Sequence, residues 1–306
     1  MTDLSILYFG MFGELSRRPL AALLESGAHI CGVIVPGTND QPEPVPLDPP
    51  EIDLPGVDFI PMVSEYMQPS VITVAWEHHL PLLSIGDLNH AQTLPALTAF
   101  QPDLIVVSCF SKIIPPAILQ LPRMGAINLH PSLLPRYRGP SPFFWQLRNG
   151  ETDTGVTVHY LNEQLDAGEI LLQVPVRYPD GLSGAQAGEL CAQAGSRLLV
   201  QALDLLRRGA APRIPQDESQ ATYQSLPARD DLIITTDWSA RRAFNFLRGV
   251  DSPNGPLPFD IIVGDQTFRV GEALSYSADE KLANAFERNG DNVAIQFEPG
   301  VLRIRS

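Results

Sequence analysis

Asn128 and His130 stand two residues apart in Ala126-Ile127-Asn128-Leu129-His130, so on an extended strand both side chains point to the same side. The prolines of Pro131-Ser132-Leu133-Leu134-Pro135 and, further on, Gly139 force the chain to turn at that strand's end. A carboxamide and an imidazole presented together at a strand-to-loop junction suit attack on a carbonyl. The amide N–H donates to a developing oxyanion, and the imidazole moves a proton. Asp166, in Leu165-Asp166-Ala167-Gly168-Glu169, is the carboxylate that would orient the imidazole. Such a step needs neither a metal nor a covalent nucleophile. Taken singly, the three residues have plainer readings: a turn-capping amide, a satisfied buried histidine, and an Asx-type turn ahead of Gly168. Their order in one long motif favours the chemical reading.

The elements around these residues must place them. Leu4 to Phe9 reads as a buried strand, Pro19 to Ser26 as a helix stopped by Gly27, and His29 to Val35 as a second strand. This strand–helix–strand order predicts a parallel, doubly wound α/β sheet. Gly10-Met11-Phe12-Gly13 is too short for a dinucleotide fingerprint and reads as a plain turn. Pro36 to Pro61, rich in Pro, Asp and Glu, reads as a long surface loop. Leu104 to Ser108 is another buried strand, Pro116 to Leu121 a short helix, and Ala126 to Leu129 the strand that delivers Asn128 and His130. Pro142 to Asn149 is expected to be helical, with strands at Gly155 to Leu161 and Glu169 to Val176 on either side of Asp166. Apolar residues at helical spacing from Ser183 to Arg208 predict a long closing helix.

These elements define a domain over 1–208, a linker over 209–231 and a smaller domain over 232–306. The last opens with a helix from Ser239 to Arg248. Short β runs follow at Asp260 to Val263, Thr267 to Val270, Asn292 to Phe297 and Val301 to Ile304, a spacing that suggests a small β-barrel.

Composition bounds the function. The chain has 44% hydrophobic and 18% charged residues, as soluble globular proteins do. No basic, apolar leader opens it and no apolar run approaches 18 residues, so a cytoplasmic protein without a membrane partner is expected. Cys31, Cys109 and Cys191 read as buried, reduced thiols. His78, His79 and His90, near Glu77 and Asp87, fit no standard metal-ligand spacing and read as exposed loop histidines. Net charge is −14, Lys112 and Lys281 are the only lysines, and no Lys or Arg lies between Arg18 and Lys112. That balance does not favour a polyanionic partner, because neutralising phosphates dominates nucleic-acid affinity.

Asn128-Leu129-His130-Pro131-Ser132-Leu133-Leu134-Pro135-Arg136-Tyr137-Arg138-Gly139, followed by Leu165-Asp166-Ala167-Gly168, resembles the signature of the 10-formyltetrahydrofolate-dependent formyltransferases. The resemblance extends over Gly150 to Thr157, Ala221-Thr222-Tyr223, Asp237-Trp238-Ser239 and Phe244 to Gly249. It implies a Rossmann-like, mostly parallel sheet followed by an OB-like barrel. It also implies that an amine attacks the formyl carbon of 10-formyltetrahydrofolate as co-substrate, with Asn128, His130 and Asp166 in the roles given above. Ser132, Leu133, Leu134 and Pro135 would then hold the folate together with the Phe110 to Ile114 loop, Phe110 and Ile113 above all. A pterin needs main-chain donors and acceptors along one edge and apolar walls. For Phe110 and Ile113 ordinary loop packing is the competing reading. Arg136 and Arg138 either hold an acidic ligand group or make surface ion pairs.

The acceptor implied first is initiator methionyl-tRNA, bound by a monomer. In methionyl-tRNA formyltransferases the region matching the loop after Pro36 carries a basic insertion, whereas here it is acidic. A small amine such as an amino sugar nucleotide, or water in a hydrolase, are the alternatives.

Overall fold

Long apolar runs that can be buried on both faces become the inner strands of a parallel sheet. The structure is a computed structural model that describes residues 4–49, 69–250 and 257–306. Its main sheet has eight strands in the order β3-β4-β2-β1-β5-β6-β7-β8. These are β1 (Ser5–Gly10), β2 (His29–Pro36), β3 (Pro44–Pro46), β4 (Leu82–Ile85), β5 (Leu104–Ser108), β6 (Ala126–His130), β7 (Asp153–Tyr160) and β8 (Ile170–Arg177). β4, β2, β1, β5 and β6 run parallel, while β3 pairs antiparallel with β4, and β7 with β6. The order reverses at β1, with β2 on one side and β5 on the other. Ligands of doubly wound sheets bind beside such a reversal, outside the carboxyl ends of the strands.

Helices α1 (Glu14–Glu25), α2 (Val71–Glu77), α3 (Thr93–Thr98), α4 (Pro116–Leu119), α5 (Pro142–Arg148), α6 (Gly184–Arg207) and α7 (Ala240–Gly249) complete the pattern. Leu7 and Phe9 of β1 and Ile105 and Val107 of β5 point into one core cluster with Ile34, Ile85 and Leu97, as the two-residue repeat of a strand requires. None of the helices formed by the described residues is long and apolar enough to cross a membrane.

The chain divides into two compact units. One comprises residues 1–135, 156–174 and 191–221 and holds the parallel strands. The other comprises residues 136–155, 175–190 and 222–306. Phe246 of α7 is fully buried there, edge-on to Phe144 and Phe259 at 5.2 Å and to Trp238 at 5.7 Å. Its C-terminal strands are β9 (Ile233–Thr235), β10 (Asp260–Val263), β11 (Gln266–Arg269), β12 (Glu272–Ser277), β13 (Phe286–Asn289), β14 (Asn292–Gln296) and β15 (Val301–Arg305). They form a three-stranded sheet, β11-β10-β9, and a four-stranded antiparallel one, β12-β15-β14-β13. The four β runs expected from the sequence are β10, β11, β14 and β15. β9, β12 and β13 were not anticipated.

Three expectations need correction. Helix α1 begins at Glu14, five residues before Pro19, so the proline sits inside it. Proline has no N–H to give the Leu15 carbonyl one turn earlier. The Ser108 hydroxyl, from the end of β5, donates to that carbonyl instead. The described part of the loop after Pro36 contains β3, and residues 50–61 of that loop lie outside the described residues. Of the three free cysteines only Cys191 is buried. Cys31 is half-buried, and Cys109 is exposed just past β5, where its backbone has turned to a φ of 59°.

Candidate active site

β6 ends at His130, with Asn128 and His130 on one face and Leu129 on the other. A Cβ on Gly195 would come within 2.6 Å of a Leu129 methyl, so α6 lies close against the back of this strand. Its antiparallel neighbour β7 sets Asn128 opposite His159 and His130 opposite Thr157. Directly opposed residues of a ladder share a face. Two polar pairs therefore meet at the end of an otherwise apolar sheet.

His130 and Asp166 are each about 5% exposed, and His130 Nδ1 lies 3.7 Å from Asp166 Oδ1. The same carboxylate oxygen is 3.7 Å from His159 Nε2. Asn128 Nδ2 stands 3.1 Å from His159 Nε2. The three residues singled out from the sequence are thus brought together, and His159 joins them as a fourth.

Asp166 reaches this place from a turn in which its own φ is 53°, a region where Asp is tolerated better than most residues. Gln216 clamps the turn from outside, its side-chain amide donating to the carbonyls of Asp166 at 2.8 Å and Gly168 at 2.7 Å. Ile170 and Ile214 exchange backbone hydrogen bonds just beyond. The first part of the expected linker therefore braces the Asp166 turn.

The loop leaving β6 is held by the Thr157 hydroxyl, which is fully buried. It donates to the Ser132 carbonyl at 2.6 Å and accepts from Leu134 N at 3.2 Å and from Gln173 Nε2 at 2.9 Å. One donor and two lone pairs are all that a hydroxyl has, so this one is saturated. Thr157→Val keeps the shape and removes all three bonds. It is expected to cost about 1–3 kcal/mol of stability, read as a lower denaturation midpoint at unchanged m-value.

The residues expected to hold folate divide. Ser132 is fully buried and Leu134 nearly so, while Leu133 and Pro135 are half-buried on the same loop. Phe110 packs edge-on to Phe9 at 5.2 Å and joins the core cluster, so it acts as a wall. Ile113 is 79% exposed. It lines a cavity of about 370 Å³ with Lys112, Leu88, Asp87 and Gly86, and Lys112 Nζ donates to the Gly86 carbonyl at 2.6 Å.

Arg136 pairs with Glu151 at the surface, the plainer of its two readings. Arg138 is buried, and its backbone is paired on both sides with Thr222 O and Gln224 N. Gly139, at a φ of 111°, passes so close to Gln224 that a Cβ would lie 2.1 Å from its carbonyl oxygen. Tyr137-Arg138-Gly139 and Thr222-Tyr223-Gln224 are therefore one structural joint. Among the described residues no group of three or more His, Cys, Asp or Glu side chains could hold a metal ion.

Sequence reasoning passed over His159, Thr157, Gln173 and Gln216. A signal existed for the first two: polar residues two apart, within the apolar run Val156-Thr157-Val158-His159-Tyr160, mirror the spacing of Asn128 and His130. Gln173 and Gln216 carry no such pattern.

Residues 72–203 match the family model described as formyl transferase. The methionyl-tRNA formyltransferase of Moorella thermoacetica is 37% identical over 238 residues, 78% of this chain and 74% of that protein. That of Syntrophus aciditrophicus is 36% identical over 259 residues, 85% of this chain and 77% of that protein. Among solved structures, the N-formyltransferase of Helicobacter canadensis in complex with folinic acid and dTDP-3-aminofucose has the same fold. Its TM-score is 0.64 at 15% identity, over 100% of this chain and 99% of that one.

Proposed function

Because the chain belongs to the formyltransferase family, we propose that it transfers the formyl group of 10-formyltetrahydrofolate to the α-amine of methionyl-tRNA. The observation that carries the reading is the convergence of Asn128, His130 and Asp166 at the carboxyl end of β6. The amine nitrogen attacks the formyl carbon, and the carbonyl oxygen becomes an oxyanion. The Asn128 amide donates to that oxyanion. His130 takes the proton that the attacking nitrogen must lose and delivers one to N10 as the carbon–N10 bond breaks. Asp166 holds the imidazole and balances the charge it gains in between. The products are the formylated amine and tetrahydrofolate, with every proton returned. The loop Ser132 to Pro135, with Phe110 and Ile113 across from it in sequence, is the proposed folate wall.

The acceptor is inferred from relatives 36–37% identical over 74–77% of their length. The charge of −14 speaks for a small amine instead, but it is unevenly spread. Thirteen of the 21 Lys and Arg, against sixteen of the 35 Asp and Glu, fall in the unit that contains residues 222–306. There the Arg242 guanidinium stacks 3.7 Å from the Trp238 ring, with that of Arg148 at 5.2 Å. Burial, and after it repulsion from Arg148, hold the Arg242 pKa below its usual range against the opposing pull of Asp237. A site that crowds cations in this way suits a phosphate-bearing partner.

Tetrahydrofolate release decides between the readings, with methionyl-tRNA, an amino sugar nucleotide or no acceptor. Release is expected to depend on methionyl-tRNA, and its kcat/KM to fall about tenfold or more from low to physiological salt as phosphate contacts weaken. Release driven only by the small amine would make the protein a metabolite formyltransferase. Release without any acceptor would make it a hydrolase. The site proposed here works in a monomer, in the cytoplasm, and takes no metal.

A further inference from the structure

We infer that His159 is a positioning residue for formyl transfer, holding the Asn128 carboxamide with its nitrogen toward the reacting oxygen. This rests on the reading of Asn128 as the oxyanion donor and goes a step beyond it. His159 is fully buried on β7, directly across the ladder from Asn128. Its Nδ1 lies 3.0 Å from the Tyr160 carbonyl oxygen. A carbonyl can only accept, so Nδ1 carries a proton, and an amide nitrogen can only donate, so the Nε2 that it meets presents a lone pair. The atom of Asn128 that meets this lone pair at 3.1 Å is Nδ2.

The imidazole thereby chooses which way the amide faces. With Nδ2 against His159, one amide hydrogen is anchored and the second is left for the substrate oxygen. Turning the amide over would set Oδ1 against a lone pair, two acceptors facing each other with no proton between them. Asp166 Oδ1 lies 3.7 Å from both His159 Nε2 and His130 Nδ1, beyond hydrogen-bond distance of either nitrogen, so that oxygen does not take the place of the Asn128 amide at Nε2. The rings of His130 and His159 stand nearly perpendicular, 83° between planes and 6.3 Å apart, so they do not compete for one position. His159 does not touch the proposed substrate. It acts through Asn128.

A double-mutant cycle with 10-formyltetrahydrofolate and methionyl-tRNA tests this. His159→Leu fills similar space without an acceptor and is expected to lower kcat about tenfold while the folate KM moves less than about threefold. In an Asn128→Ala background the same change is expected to cost less than about twofold, because the amide it orients is gone. His159→Gln, whose side-chain oxygen can accept from Asn128, is expected to restore most of the loss and also covers the case in which His159→Leu fails to fold. Equal losses from His159→Leu in both backgrounds would overturn the positioning role, as would an unchanged kcat in the wild-type background. An Asn128→Ala enzyme that keeps full kcat would instead overturn the oxyanion reading itself, an outcome visible before His159 is touched.

Discussion

His130→Ala is expected to lower kcat about 100- to 10,000-fold, the usual worth of a positioned acid–base group. The folate KM should change little, because in the proposed reaction the imidazole acts on the proton in flight and not on the bound donor. His130 is only about 5% exposed and closes the end of β6. Its truncation therefore leaves a hole in the site and removes one of the two imidazoles that stand 3.7 Å from the Asp166 carboxylate. The fold should survive, since the strand's backbone ladder to β5 and β7 does not involve the ring. Circular dichroism and single-turnover formyl transfer on the same sample separate the two effects. Full activity in a folded His130→Ala enzyme would remove the imidazole from the proposed reaction. Loss of activity together with loss of the folded signal would say only that the ring packs.

Much of this site was legible because its parts are local. Asn128 and His130 are read from a two-residue spacing, and the turn beyond them from its prolines. Asp166 is read only from the place of Leu165-Asp166-Ala167-Gly168 in the longer motif. What was missed depends on register. Nothing in β7 alone says that His159 faces Asn128, since a shift of one residue would have turned both polar side chains of β7 to the opposite face. Only the pairing of Asn128 with His159 and of His130 with Thr157 makes them members of the site.

Gln216 is harder still, because it reaches the Asp166 turn from about 50 residues away, in a stretch that reads as a linker. The fold shows the same division. Long inner strands such as Leu104 to Ser108 carry their own burial signal. β3 and β4, three and four residues long, do not. The short helix α2 did carry a signal. Ser70 caps it, with its hydroxyl accepting from Thr73 N and Thr73 Oγ1 accepting from Ser70 N. That reciprocal cap uses a threonine where glutamate or glutamine is the usual partner.

Gly168→Ala is expected to reduce turnover about 100-fold, far more than a methyl group in a loop would ordinarily do. A Cβ at this position would lie 1.8 Å from the Tyr160 carbonyl oxygen. No side-chain rotation can relieve a contact between a Cβ and backbone, so the two strands bordering the turn must part. The displaced carbonyl is the acceptor that fixes the His159 proton on Nδ1. The residue two positions before the glycine is Asp166, whose carbonyl is bonded to Gln216 alongside that of Gly168. One methyl group therefore pushes on both supports of the site at once.

Overpacking of this kind costs about 1–3 kcal/mol of stability, which a thermal melt would register as a modest shift. Gly188→Ala supplies the comparison. It sits in α6 with nothing within 4 Å of the added carbon, and there alanine's helix propensity should leave stability equal or higher. If Gly168→Ala loses activity only in proportion to its unfolded fraction, the turn is a structural staple. If the folded enzyme is slow, the small residue after Asp166 is required because the carboxylate and the two histidines must share a space about one ångström in tolerance.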